Sequence, residues 1–332
     1  MMKLSTMRTV LDTVDGGWRS PLANQILERW GYDEGTVFFW RASANFVFIF
    51  RREGREFYLR FNEASERELA MIKSELDVVL YMGKRRLKTA QPVMSTNGQF
   101  IETVESELGT YHAVVFEAMP GEHLELDELD EKQFYDWGSA LGQLHEAMKS
   151  APEQLTASRP SWRELLEHAL DVLPAEEKAA RSELMRCMKQ AEELPMDNSN
   201  YGLIHYDFEL DNHRWKDGEI GILDFDDCCM HWYAADIAYA LGDLSDDGID
   251  LSDYRVMAFM NGYKQETELS EDMLGQMKLF ERIDELLGFA KLLRSVGELS
   301  ASDVGERLDS LRVKLKGFMD KSRAAFAASA EG

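Results

Sequence analysis

Residues 202–227 read GLIHYDFELDNHRWKDGEIGILDFDD, two apolar runs that each end in charged groups. The first closes on His205 and Asp207, with Asn212 five residues beyond the aspartate; the second closes on Asp224, Asp226 and Asp227. Carboxylates crowded this closely repel one another and raise each other's pKa, so such a group persists where a cation or a shared proton relieves it. A solvated acidic loop is the plain alternative. Two short strands would instead deliver the carboxylates to one place, as phosphoryl transfer requires. There one carboxylate orients an attacking hydroxyl and accepts its proton, while oxygen ligands hold the Mg2+ that neutralises nucleotide phosphates. Asp207 suits the first task, Asn212 and Asp224 the second.

The chain before this stretch reads as strands. In NFVFIFRREGREFYLRFN (45–62) two runs of aromatic and branched residues flank a polar turn at Gly54, which predicts a hairpin. Phe57, Leu59 and Phe61 alternate with Tyr58 and Arg60, so one face is buried and Arg60 points from the other. Leu69, Ile72, Leu76, Val79 and Leu80 then recur at helical spacing before Gly83. Segments 92–105 and 110–121 predict a second strand group, with Asn97–Gly98 as a hairpin turn and Pro120–Gly121 ending the last strand. From about Asp127 onward the periodicity is helical, interrupted by the acidic stretch. The expected fold is α+β and two-lobed: a β-rich lobe over 1–116, a hinge near 116–121, and a larger helical lobe over 117–332.

The motifs resemble those of the aminoglycoside phosphotransferase and choline kinase family, whose fold is like that of protein kinases. The family's His-x-Asp-x-x-x-x-Asn loop is matched by His205, Asp207 and Asn212, and its Ile-Asp-x-Asp stretch by Leu223, Asp224, Phe225 and Asp226. LDFDDCCMHWYAADIAYAL (223–241) and FMNGYKQ (259–265) look like bacterial members described as homoserine-kinase-like. The resemblance implies that Asp207 is the catalytic aspartate and that Asn212 and Asp224 hold Mg2+, with ATP or GTP as co-substrate. It further implies that Asp236 supports the catalytic loop. In kinase-like folds a strand Lys holds the phosphates and pairs with a helix Glu; here Arg60 stands in that place, with Glu75 as its expected partner. Ser43 and Asn45, in a turn without the Gly-rich pattern, would cover the phosphates. Backbone groups near Glu117 and Met119 would meet the base.

Composition narrows the partners. Against 61 Asp and Glu stand 37 Lys and Arg, a formal net charge of -24, which disfavours nucleic acid because that binding needs Lys and Arg at phosphates. No stretch of about 18 apolar residues offers a membrane span, and the three cysteines fit a reducing cytoplasm. A small-molecule acceptor is therefore expected. Glu209, Asp226, Asp227, His231 and Trp232 are the candidates to face it, and the surplus of carboxylates around Asp207 suggests that it is cationic. Aminoglycosides, choline and homoserine all remain open as acceptors, as does the oligomeric state. Two other classes stay in view: a nucleotide-binding pseudokinase, motivated by Arg60, and a hydrolase holding metal through His205, Asp207, Asp224, Asp226 and His231.

Overall fold

Alternation decides the first lobe. In the computed structural model, which describes residues 1–244, 248–297 and 299–330, two helices, α1 (Leu4–Leu11) and α2 (Pro21–Leu27), precede the strands. Ser20 caps α2 through the Ala23 N–H, with proline at the first helical position, where its missing donor costs nothing. Strands β1 (Phe38–Ala42), β2 (Phe46–Arg52) and β3 (Arg55–Glu63) follow. Phe46, Phe48 and Phe50 bury one face of β2 against Phe57 and Phe61 of β3. Glu53 and Gly54 join β2 to β3 with φ of 55° and 73°, the two-residue turn whose twist matches that of paired strands.

Helix α3 (Leu69–Lys84) comes next, then β4 (Pro92–Val93), β5 (Ile101–Ser106) and β6 (Gly109–Glu117). All pairings in the sheet are antiparallel, in the order β1-β2-β3-β6. The hairpin expected at Asn97–Gly98 is corrected. β4 and β5 do not pair with each other but share the outer edge of β6, β5 on Gly109–Val114 and β4 on Val115–Phe116. The physical reason is local, because the 95–99 segment closes on itself through Ser95 N to Gln99 O and Gly98 N to Ser95 O.

The second lobe is mostly helical. Helices α4 (Glu131–Lys149), α5 (Glu153–Thr156), α6 (Trp162–Val172) and α7 (Lys178–Glu192) lead to four short strands. These are β7 (Tyr201–Ile204), β8 (His213–Lys216), β9 (Glu219–Ile222) and β10 (Cys229–Trp232), paired β7 with β10 and β8 with β9. The chain then runs through α8 (Tyr233–Leu241), α9 (Tyr254–Glu266), α10 (Glu271–Leu274), α11 (Met277–Val296), α12 (Ala301–Val304) and α13 (Glu306–Ala330). Reciprocal capping boxes at Asp130/Gln133 and Ser161/Glu164 fix the starts of α4 and α6. α4 and α9 touch backbone to backbone: a Cβ on Gly138 would fall on the carbonyl of Phe259, and one on Gly262 on the carbonyl of Tyr135. No described helix is long and apolar enough to cross a membrane.

Candidate active site

One buried carboxylate organises the loop after β7. Asp236, in the first turn of α8 and fully buried, accepts from His205 N (2.8 Å) and His145 Nε2 (2.9 Å) on one oxygen and from Tyr206 N (2.8 Å) on the other. His145 Nδ1 lies 2.8 Å from Tyr263 Oη, so this histidine is held on both ring nitrogens. Asp236 therefore pins two successive N–H groups at the point where β7 turns away. The turn is strained: Tyr206 has φ 75°, a left-handed conformation costly for a bulky side chain. Its ring packs on Tyr239 and its hydroxyl donates to Asp284 (3.1 Å).

The turn delivers Asp207. Asn212 Nδ2 donates to the Asp207 carbonyl (3.0 Å) and to its Oδ2 (2.9 Å), while the Asn212 carbonyl accepts from Leu223 N (2.9 Å). His205 Nε2 donates to Leu223 O (2.9 Å). These bonds fasten the two halves of the 202–227 stretch together, so Asp207, Asn212 and Asp224 are neighbours. Asp224 also has positive φ, 58°, which aspartate tolerates better than most residues. Burial, then the charges of Asp227 and Asp226, push Asp207 up to about 6, against the Asn212 bond and Lys291. Burial and Asp226 likewise push Asp224 upward, against the pull of Arg60.

Across from this loop the sheet supplies cations. Arg60, 8% exposed, pairs through Nη2 with Glu75 Oε1 (2.6 Å) and through Nη1 with Asp224 Oδ1 (3.0 Å), its guanidinium over the Phe116 ring. Thus the expected Arg60–Glu75 pair is formed, and it reaches the acidic loop. Between sheet and loop lies a cleft of about 850 Å³. Val47, Ala90, Phe116, Met119 and Ile222 form an apolar slot at one part of it, and Arg60, Asn212 and Asp224 the polar floor. Met119 packs on Gly221, where a Cβ would lie 2.7 Å from its Cγ. Glu117 lines the slot, although its N–H is already committed to the Gln91 carbonyl (3.0 Å). A second cavity, about 490 Å³, opens between α6 and α11, bounded by Leu165, Ala169, Leu287, Tyr206, Asp227 and Lys291. Asp207 is joined by a hydrogen bond to Asn212 of the first and is adjacent in sequence to Tyr206 of the second.

Several expectations need correction. His231 and Trp232 do not face a cavity. β10 pairs with β7, and although the two side chains point to opposite faces both faces are covered, so that both are fully buried; His231 Nδ1 accepts from Trp232 N and Trp232 Nε1 donates to Pro195 O. Among the described residues no three or more His, Cys, Asp or Glu side chains are grouped to hold a metal ion, so the five-residue metal set of a hydrolase is not assembled. Asp226 is not an open acceptor carboxylate: Arg67 and Asn45 Nδ2 (2.8 Å) bind it, and although burial opposes ionisation, Arg67 and Arg60 hold it well below the usual range. Asn45 is thereby an anchor for the β1–β2 turn, and Ser43 is exposed at its tip. Asp227 carries its own counter-ion, Lys291 (2.7 Å). Glu209 is exposed and has no ion pair among the described residues; partial desolvation and then Asp207, Asp243, Asp284 and Asp211 push it up to about 8. Arg67, Lys291 and Asp284 were not marked by sequence, since each meets the loop from a distant segment, whereas Tyr206 lies in the loop itself and has no charge to single it out.

Buried His231 supplies a pH test. Burial pushes it down to about 3, so between about 6.5 and 3 the unfolded chain binds a proton there and the native chain does not. Stability from this group is complete above about 6.5 and declines by up to about 1.4 kcal/mol per pH unit as pH falls. His231→Asn should flatten the acid limb of the urea-unfolding free energy by about one proton. Parallel limbs for the two proteins between pH 6 and 4 would show that His231 is not buried neutral.

An antiparallel sheet over a helical lobe, with the carboxylate-bearing loop at their junction, is the architecture of protein-kinase-like phosphotransferases. Residues 39–273 match the phosphotransferase enzyme family (APH), and the chain belongs to that family. It is a phosphotransferase with an alcohol group as acceptor. Amicoumacin kinase of Bacillus subtilis (strain 168) is 26% identical over 285 residues, covering 81% of this chain and 85% of the relative. Among solved structures, an amicoumacin kinase in complex with AMP-PNP, Ca2+ and Ami superposes with a TM-score of 0.77 at 22% identity, over 92% of each chain. A microcompartment-associated aminopropanol kinase does so with 0.71 at 21% identity, over 93% of this chain and 97% of that one. At these identities the two structures speak for the fold alone.

Proposed function

We propose that the chain transfers the γ-phosphate of ATP or GTP to a hydroxyl of a small cationic acceptor, with Asp207 as the base. The observation that carries this reading is the linkage of Asp207 to two cavities, through its bond to Asn212 to one that is apolar with Arg60 at its floor, and through the neighbouring Tyr206 to one bounded by Asp227 and Lys291. A nucleotide base fits the Val47–Phe116–Ile222 slot near Glu117 and Met119, with its phosphates toward Arg60. The acceptor would enter the second cavity and meet Asp207 from the other side. Asp207 would orient the hydroxyl and take its proton, and the Asn212 amide would hold the carboxylate in line. We place the boundary between the lobes at 116–121.

The residues fit a divalent cation. Asp224 is a half-buried carboxylate made costly to ionise by desolvation and then by Asp226, and Asn212, with its amide nitrogen turned to Asp207, has a carbonyl oxygen to offer. Hard oxygen donors of this kind suit Mg2+, which takes few protein ligands and completes its shell with phosphates and water. When bound it would neutralise phosphate charge. Ca2+ and an ATP analogue in a related structure agree with a divalent ion and a nucleotide. The case for a cationic acceptor now rests on Glu209, Asp243 and Asp284 rather than on Asp226 and Asp227. Asp207, Asp243 and Asp284 crowd Glu209, which has no ion pair among the described residues.

The test is a phosphoryl-transfer screen over small alcohols, some carrying an ammonium (choline, aminopropanol, an aminoglycoside) and some neutral diols of similar size. Transfer to ammonium alcohols, weakening as salt rises, is expected. Equal transfer to neutral and cationic alcohols would remove the charge argument, and no transfer to any alcohol would remove the kinase reading of these residues.

A further inference from the structure

Strand β1 does not run in register. Phe38 pairs with Ile49 and Phe39 with Phe48, but Arg41, not Trp40, then stands opposite Val47. Trp40 is the extra residue of a β-bulge, a device that re-aims the side chains beyond it. Val47 in turn faces Arg60 on β3. Directly opposed residues share a face of a sheet, so Arg41, Val47 and Arg60 form one cross-strand row, and all three line the cleft. Without the slip, Trp40 would hold the position of Arg41.

Both arginines of the row meet the same carboxylate. Arg60 Nη1 lies 3.0 Å from Asp224 Oδ1, and Arg41 Nη2 lies 3.5 Å from Asp224 Oδ2. Their situations differ. Arg60 is buried and has Glu75 as a second partner, whereas the Arg41 side chain is 44% exposed and its only ion pair among the described residues is with Asp224. Two guanidinium groups and two carboxylates balance. If Asp224 is taken by a metal ion, Arg41 is left with an uncompensated charge at the polar end of the slot.

We propose that Arg41 is a phosphate-binding residue: with Arg60 it forms a two-arginine clamp on the nucleotide's phosphates, and Asp224 occupies that clamp until a nucleotide arrives. The inference rests on the reading of this cleft as the nucleotide site. The β1–β2 turn has no Gly-rich run of N–H groups to cradle phosphates, and a guanidinium fork supplies paired donors in their place. The arrangement also makes Asp224 a competitor of phosphate, so removing its charge should help nucleotide binding whenever divalent metal is absent.

Binding of ADP and GDP, against adenosine and guanosine, is measured by calorimetry in chelator for the wild type, Arg41→Gln, Asp224→Asn and the double variant. Arg41→Gln should weaken the preferred diphosphate by roughly tenfold, the scale of one charge-assisted hydrogen bond, and leave its nucleoside unchanged, which also serves as the folding control. Asp224→Asn should bind the diphosphate several-fold tighter than wild type, and the double variant should lose that gain. Wild-type diphosphate binding with no loss in Arg41→Gln, or no gain in Asp224→Asn, overturns the clamp while leaving the nucleotide site intact. A wild type that binds neither nucleosides nor diphosphates overturns the site and the clamp together.

Discussion

Asp207→Asn is expected to lower turnover by roughly two or more orders of magnitude, the range for loss of a positioned general base. The amide keeps the shape of the carboxylate, so the chain should fold as before. Nucleotide affinity should also persist, because Asp207 is not among the groups lining the first cleft. The effect therefore belongs in kcat and not in binding. The measurement is steady-state turnover beside calorimetric nucleotide binding. If the variant turns over within a few-fold of wild type, another group takes the hydroxyl proton and the assignment of Asp207 is wrong.

The second large effect is on stability. Asp236→Ala removes the acceptor of three buried donors, His205 N, Tyr206 N and His145 Nε2. A buried donor left unmatched costs about 1–3 kcal/mol, and the strained Tyr206 turn loses the bonds that over-determine it. Asp236→Ala should thus lose roughly 3–5 kcal/mol, a loss typical of breaking a buried charged network, read from urea unfolding. His145→Phe, which removes one of the three donors and leaves the two loop bonds, should lose clearly less. Equal losses would show that the histidine, and not the loop, accounts for the role of Asp236.

Legibility followed the distance between partners along the chain. The Asp207–Asn212 spacing was readable because both residues sit on one short loop, and Asp224 because it ends an apolar run. Arg60 and Glu75 were readable too, one from strand alternation and the other from helical spacing fifteen residues on. Partners far apart were not. Arg67 meets Asp226 across 159 positions, and Lys291 meets Asp227 across 64; both depend on how the segment leading into α3 and the helix α11 dock, which no local pattern encodes. That is why Asp226 and Asp227 read as spare negative charge when each has a built-in cation. Arg41 was hidden for a different reason, since a bulge changes the face of a strand without changing its composition. His231 and Trp232 were misplaced because both faces of β10 are covered, and a strand of four residues carries no sign of that in its own sequence.

The glycine contact between α4 and α9 bears on how this enzyme can be altered. Gly138 and Gly262 each lie against a backbone carbonyl of the other helix, so any amino-acid replacement there adds a Cβ that must push the helices apart, and no compensating change in a neighbouring side chain can remove a carbonyl. Laboratory evolution of a new acceptor has no room along that seam. The walls of the second cavity are different: Leu165, Ala169, Leu287 and Ala290 meet open space rather than main chain, and they can be enlarged or trimmed one at a time. A library drawn on α6 and α11 would therefore sample shape at the proposed acceptor cavity, whereas one that includes the α4–α9 crossing would spend its diversity on chains that fail to fold.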